Sequence, residues 1–242
     1  MAKILFFAAT LFFVFQITAF AENPATLDKS QQLLLVTAPT VNAVSGKLQR
    51  FERNKKGVWV KEGDPIAVVV GKQGMAWGVN DMSHPGGLLK KESDLRTPMG
   101  IYKIGPAFGF NPSAAWSLPY FPLTDTSICV DDKKSKYYNQ LIDSRNKIVD
   151  WDSGEKMREQ PLYQEGAVVQ YNQPHSVAGG GSCIFLHIWR APDRGTAGCI
   201  AMQEDKLKRV LSWLNGKRHP RIVILSELDY KKVQSSWNLP AL

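Results

Sequence analysis

Ser182-Cys183-Ile184-Phe185-Leu186-His187-Ile188-Trp189, followed after a polar loop by Thr196-Ala197-Gly198-Cys199-Ile200-Ala201-Met202, is the stretch that decides the reading of this chain. Gly179-Gly180-Gly181-Ser182 is a glycine turn ahead of it. Cys183 to Ile188 then reads as a buried strand, apolar apart from the histidine it delivers at its end. Eleven residues separate His187 from Cys199, enough for a strand to leave, loop and return beside itself. A thiol needs a base or a positive neighbour to act as a nucleophile at neutral pH, and His187 can supply one. Gly198, just before the cysteine, admits positive φ and removes a side chain where a substrate carbonyl must approach. Backbone N–H groups at Ala197, Gly198 and Cys199 are placed to stabilise an oxyanion. Alone, the histidine would read as a core residue and the cysteine as a small buried hydrophobe. Together they point to cysteine-dependent acyl chemistry.

Outward from this stretch the pattern is strand-rich. Leu33–Val36 is an apolar run, Lys47–Arg53 alternates, and Asn54-Lys55-Lys56-Gly57 turns into Val58–Val60. Pro65–Val70, Ile101–Ile104, Ala167–Tyr171 and a closing Arg221–Leu225 read as further strands. Thr97–Gly100 reads as a tight turn leading into Ile101. Residues 78–100 read as a long loop, residues 105–125 as irregular, and Ser153–Glu159 as a short helix. Gln203–Leu214 is the best helix. Glu204 and Asp205 sit at its positive end, Leu207, Val210, Leu211 and Leu214 form one apolar face, and Asn215-Gly216 stops it. The fold class expected is mainly β with a few helices, in one catalytic domain.

The chain has 242 residues with 44% hydrophobic and 21% charged, enough for a core without disulfide support. Met1-Ala2-Lys3, the apolar Ile4–Phe15 and Ala19-Phe20-Ala21 read as a signal peptide over residues 1–21, cleaved after Ala21. An exported protein, periplasmic or cell-wall-associated and with no stable membrane span after cleavage, is expected. The net charge of +8 favours anionic surfaces. Lys and Arg are scattered with no dense tract, so no nucleic-acid partner is expected. The three cysteines, Cys129, Cys183 and Cys199, leave one unpaired if two join in an oxidising compartment. No Cys/His spacing suggests a zinc site, and no metal or cofactor is expected.

His187 with Thr196-Ala197-Gly198-Cys199 resembles the active-site signature of the L,D-transpeptidase (YkuD-like) catalytic domain. Thr97-Pro98-Met99-Gly100-Ile101-Tyr102 resembles the family's T-P-x-G-x-[FY] segment. Cys129-Val130-Asp131-Asp132 and Tyr138-Asn139 look like one exported branch of it. The resemblance covers about residues 60–225, which implies N-terminal strands at 22–59 packed on or part of the catalytic domain and a C-terminal extension at 226–242. It implies a β-sandwich-like domain with the nucleophile loop beside a groove. The implied substrate is the peptide stem of peptidoglycan, as donor and as acceptor. Cys199 would form a thioester, with His187 taking and returning the proton. Water as acceptor would make the same site an L,D-carboxypeptidase or endopeptidase. A non-catalytic wall-binding module and a zinc hydrolase are the rivals from other classes.

Three positions depart from the family pattern: Ala197 where a second polar residue is frequent, Ala201 where Arg is common, and Ile188 where Gly usually follows the His. Substrate contacts are expected at Thr196, Trp189, Arg190, Tyr171 and Asn172, with Arg190, Arg194 or Trp189 covering for the missing Arg. A Cys129–Cys183 disulfide is expected, leaving Cys199 free. Asp131, Asp132 and Asp143 are expected to build polar loops or a rim that reads an amine. Ser182 is expected to bond near the site or cap a turn, and His84 and His175 to lie at the surface.

Overall fold

The computed structural model describes residues 26–79 and 85–241. The signal-peptide reading and His84 fall outside them. Among the described residues thirteen strands form in chain order: β1 Gln32–Ala38, β2 Ser45–Arg53, β3 Trp59–Val69, β4 Met75–Trp77, β5 Thr97–Gly109, β6 Tyr120–Pro122, β7 Ser127–Val130, β8 Leu141–Asp143, β9 Gly154–Lys156, β10 Glu165–Val169, β11 Phe185–Ile188, β12 Ile200–Met202 and β13 Arg221–Ser226. Helix α1, Glu204–Trp213, follows β12, and α2, Glu227–Val233, follows β13.

The main sheet runs β10-β11-β12-β3-β2-β1-β13-β5, and β10 pairs again with β5. The sheet therefore closes on itself, and its layers are opposite walls of one continuous ring. Closure explains the composition of β1. Leu33, Leu34, Leu35 and Val36 are all buried because one face points into the ring while α2 packs on the other. α1 covers β10 and β11, burying Leu207, Val210, Leu211 and Leu214 on the apolar face its sequence periodicity marks out.

A second, three-stranded sheet, β8-β7-β9, stands beside the main one. A disulfide between Cys129 of β7 and Cys183, just before β11, ties the two together. Across β7 and β9, Cys129 pairs directly with Glu155.

Several local expectations change. Thr97–Gly100 is the start of strand β5 rather than a turn before it: Met75–Trp77 pairs parallel to Thr97–Met99, and Gly100 pairs with Ile224. β5 also runs on to Gly109 through residues that look irregular in isolation, because β10 pairs antiparallel and β6 parallel with Ala107–Gly109. Ser153–Glu159 is not a helix. It splits into β9 and a 3₁₀ turn at Met157–Glu159. Gly154 is a poor helix residue, and a Cβ there would come within 2.7 Å of Ile128. β13, the last strand, lies in the sheet interior, parallel to β1 and antiparallel to β5. The described part of the C-terminal segment, residues 226–241, carries α2 and folds back on the body, with Trp237 edge-on to Trp77 at 6.2 Å.

Candidate active site

β11 and β12 are parallel neighbours, with His187 opposite Ala201 and Leu186 opposite Ile200. Side chains alternate faces along a strand. Cys199, two residues before Ala201, therefore shares the face of His187. Both side chains line one cleft of about 1120 Å³. Each is only 5% exposed, so the reactive atoms sit at its floor.

The loop that delivers Cys199 is closed by two threonines. Thr196 Oγ1 donates to the Cys199 carbonyl at 2.6 Å and accepts the Gly198 N–H at 3.1 Å. Thr97 Oγ1 donates to the same carbonyl at 3.3 Å and accepts the Gly71 N–H at 2.8 Å. The Thr-Pro segment of β5 thus reaches across more than a hundred residues to brace the Cys199 loop. Gly198 has φ +153, and a Cβ there would press on the Arg96 carbonyl at 3.1 Å and Ile184 at 3.2 Å. Its amide, expected as an oxyanion donor, is engaged by the Thr196 hydroxyl in this structure.

His187 Nδ1 bonds to the Ile188 carbonyl at 2.7 Å. A carbonyl only accepts, so the proton sits on Nδ1 and the Nε2 lone pair is free to act as a base. Burial pushes the imidazole down to about 4. The Cys199 sulfur accepts the Phe185 N–H at 3.4 Å and donates to the Cys183 carbonyl at 3.4 Å. Burial, and after it the negative charge of Glu155, pushes this thiol well above its ordinary range. The resting pair is a neutral thiol and a neutral imidazole, with the sulfur hydrogen-bonded to backbone rather than to the ring. Cys199 is the free cysteine.

That geometry has a counterpart among known families. The family model described as YkuD, the L,D-transpeptidase catalytic domain, matches residues 40–224. The chain belongs to the L,D-transpeptidase catalytic domain family. No curated protein and no solved structure matches it. The family span begins before residue 60 and takes in all of β2 and β3, consistent with their place in the ring.

The other expected contacts of this L,D-transpeptidase domain divide. Thr196, Ala197 and Arg190 line the cleft with Gly198. Arg194 joins them, whereas Trp189 is not among the lining residues. Tyr171 and Asn172 are not among the lining residues either. Tyr171 is buried, stacks edge-on against Tyr102 at 5.4 Å and donates to the Gly180 carbonyl at 2.5 Å. Asn172 donates to the carbonyls of Val177 and Gly181, both at 3.0 Å, and accepts the Val177 N–H at 2.7 Å. Both residues hold the glycine turn in shape. They read as groove residues in one dimension because they precede that turn.

Asn139, φ +62, works alongside them. It donates to the carbonyls of Tyr171 and Asn172, and its Oδ1 accepts the Cys183 N–H at 2.9 Å. Asp132 accepts the N–H groups of Lys134 and Asp152, Asp143 binds Arg145 and Thr126, and Asp131 accepts the Ser153 hydroxyl. Of these three aspartates, Asp131 reaches the cleft. Ser182 donates to Glu92 at 2.8 Å within the cleft, and His175 is exposed.

Sequence reasoning missed Lys90, Glu92, Glu155 and Tyr163, all of which line the cleft. Lys90 is 3% exposed and paired with Asp94 at 2.5 Å. Glu92 accepts from the Tyr138 hydroxyl. Tyr163 donates to Glu155 Oε2 at 2.6 Å, and its ring meets His187 edge-on at 5.1 Å. None carries a motif of its own. The Tyr138-Asn139 pair is the one sequence signal adjacent to this network.

Proposed function

We propose that the chain is an exported cysteine acyltransferase acting on peptidoglycan stem peptides. The observation that carries this reading is Cys199 and His187 on one face of adjacent strands at the floor of a single cleft. Family membership supports the substrate class. The Cys129–Cys183 disulfide and the N-terminal 21 residues support export. The cleft carries both signs of charge, with Lys72, Arg190 and Arg194 on one hand and Glu92, Asp131 and Glu155 on the other. Such a lining suits a peptide that bears free carboxylates and free amines.

In the reaction, Cys199 Sγ attacks the carbonyl carbon of the L,D bond of a donor stem, and His187 Nε2 takes the thiol proton as the C–S bond forms. Because both groups are neutral at rest, proton transfer accompanies attack rather than preceding it. The Ala197 and Cys199 amides are the donors left in this loop for the tetrahedral oxyanion. Collapse of that intermediate breaks the C–N bond, and His187 returns its proton to the departing D-amino acid. The thioester then passes to the amine of an acceptor stem, giving a cross-link, or to water, giving a shortened stem.

The test is incubation of the purified chain with tetrapeptide stem fragments and separation of products by mass. Cross-linked dimers are expected. Tripeptides without dimers would assign hydrolysis to the same site, and unchanged stems would reject both.

The pH profile follows from His187. Its imidazole must be neutral to act, and burial depresses it to about 4 from an ordinary 6.5. The acid limb of kcat/KM is therefore expected near 4, with activity lost as pH falls through that value and retained at pH 6. Stability follows the same sign. Between 6.5 and 4 the unfolded chain binds a proton that the folded chain refuses, so the folded state loses about 3 kcal/mol across that window. A kcat/KM limb at 6.5 would contradict the buried, neutral assignment.

A further inference from the structure

Tyr163 sits where three functional groups meet. It is carried by the 3₁₀ turn Pro161–Tyr163, packed on β11, and it is 7% exposed. Its hydroxyl donates to Glu155 Oε2 at 2.6 Å, and Tyr163 shares a buried cluster and the cleft lining with Cys199, whose sulfur accepts the N–H of the same Phe185 that Tyr163 meets edge-on. Its ring is edge-on to His187 at 5.1 Å and to Phe185 at 5.5 Å. Glu155, its acceptor, is held on β9 opposite the disulfide cysteine Cys129. A phenol has one proton and can serve one acceptor strongly at a time. The neutral thiol is a weak acceptor, so at rest the proton points to Glu155. A thiolate, or a sulfur gaining charge during attack, is a far better one.

We propose that Tyr163 is a third catalytic group, whose hydroxyl turns from the Glu155 carboxylate to the Cys199 sulfur as the thiol loses its proton. The inference rests on Cys199 as the nucleophile of the proposed reaction. The thiol proton goes to His187 Nε2. Tyr163 keeps its own proton throughout and changes only the acceptor of its hydrogen bond. Burial and the neighbouring negative charges hold this phenol well above its ordinary range, so it stays a donor at every working pH.

Glu155 is the positioning residue. It holds the hydroxyl in place at rest, and its charge opposes a thiolate beside it. Burial, with Asp131 and Glu92 facing it, raises the Glu155 carboxyl in turn. A proton on Glu155, or a substrate ammonium paired with it, would free the Tyr163 hydroxyl for the sulfur and remove that opposing charge. The nucleophile would thereby be strongest with a donor bearing an amine next to the scissile bond.

The test reads the thiol directly and needs no substrate. Cys199 is the free thiol, with Cys129 and Cys183 joined, so the rate of its alkylation by iodoacetamide against pH reports its ionisation. The charged and titratable groups facing the sulfur are His187, Lys90, Glu155 and Tyr163, and the last two are varied. Tyr163→Phe keeps the ring contacts and removes the donor, and is expected to move the midpoint up by about one pH unit. Glu155→Gln keeps an acceptor for the hydroxyl and removes the charge, and is expected to move it down. A Tyr163→Phe profile superimposable on the wild type would overturn the proposal and leave Tyr163 as packing. Glu155→Gln moving upward or not at all would overturn it as well, and this variant decides the matter if Tyr163→Phe does not fold. Failure of stem peptides to react would count against the proposed function without touching these profiles.

Discussion

Cys199→Ala is expected to cut turnover of stem tetrapeptides by roughly 10³-fold or more while leaving the fold intact. The size of the effect comes from chemistry that no neighbour can replace. Among the described residues lining the cleft, Ser93, Ser182 and Thr196 carry aliphatic hydroxyls, and Tyr163 a phenol; Ser182 is committed to Glu92, Thr196 to the Cys199 carbonyl and Tyr163 to Glu155. None of them is on β12, the strand that pairs with His187. The fold should survive because the bonds that shape the loop run to the Cys199 backbone carbonyl, from Thr97 and Thr196, and not to the sulfur. Losing the sulfur removes one atom from a cluster that Phe108, Phe185, Met157 and Tyr163 already fill. Intact-mass analysis after acid quenching checks the point. The wild-type chain should carry the mass of an acylated stem, and the variant should not. Turnover within tenfold of wild type would remove Cys199 from the mechanism. It would also revive the wall-binding module, which predicts full biological effect without the thiol.

The second large effect is on stability. Replacing Cys129 and Cys183 together by Ser is expected to destabilise the chain by roughly 4 kcal/mol, from the closure of a loop with sequence separation 54. For a chain of this size that lowers Tm by about 8–16 °C. Calorimetry of the double variant, or of the wild type with and without reductant, measures it. An unchanged Tm would mean that the two sheets hold together without the bridge. Activity should fall with the bond for a local reason. The Cys183 carbonyl accepts the Cys199 thiol, and β9 holds Glu155 directly across from Cys129. Cutting the bridge loosens both walls of the cleft at once.

The family assignment gives these effects a common frame. The T-P-x-G segment and the T-x-G-C loop are far apart in sequence, yet Thr97 and Thr196 bond to one carbonyl. Ala201, where the resemblance led to an expectation of Arg, is buried opposite His187 and on the cleft wall. The guanidinium groups that reach the cleft instead are those of Arg190 and Arg194, on the loop between β11 and β12. Basic character is thus kept at the cleft while the position next to the imidazole stays small and apolar.

What the one-dimensional pattern determined is local. The periodicity of Leu207, Val210, Leu211 and Leu214 was enough to place α1, and alternation marked β2, because each signal comes from neighbours on the same element. Gly198 before Cys199, with His187 upstream, marked a segment that the fold sets in the cleft, since a backbone position that favours glycine and a thiol lie side by side in the chain. The rest was decided by partners distant in sequence. β5 is a strand from Thr97 to Gly109 because β4, β13 and β10 pair with it, and β9 is a strand because β7 does. Tyr171 and Asn172 became struts of the glycine turn, and Tyr163 and Glu155 became neighbours of the thiol, through ring closure and the bridge between the two sheets. A hydrogen bond or a desolvated charge depends on what lies across space, and only the closed sheet brings those groups within reach of one another.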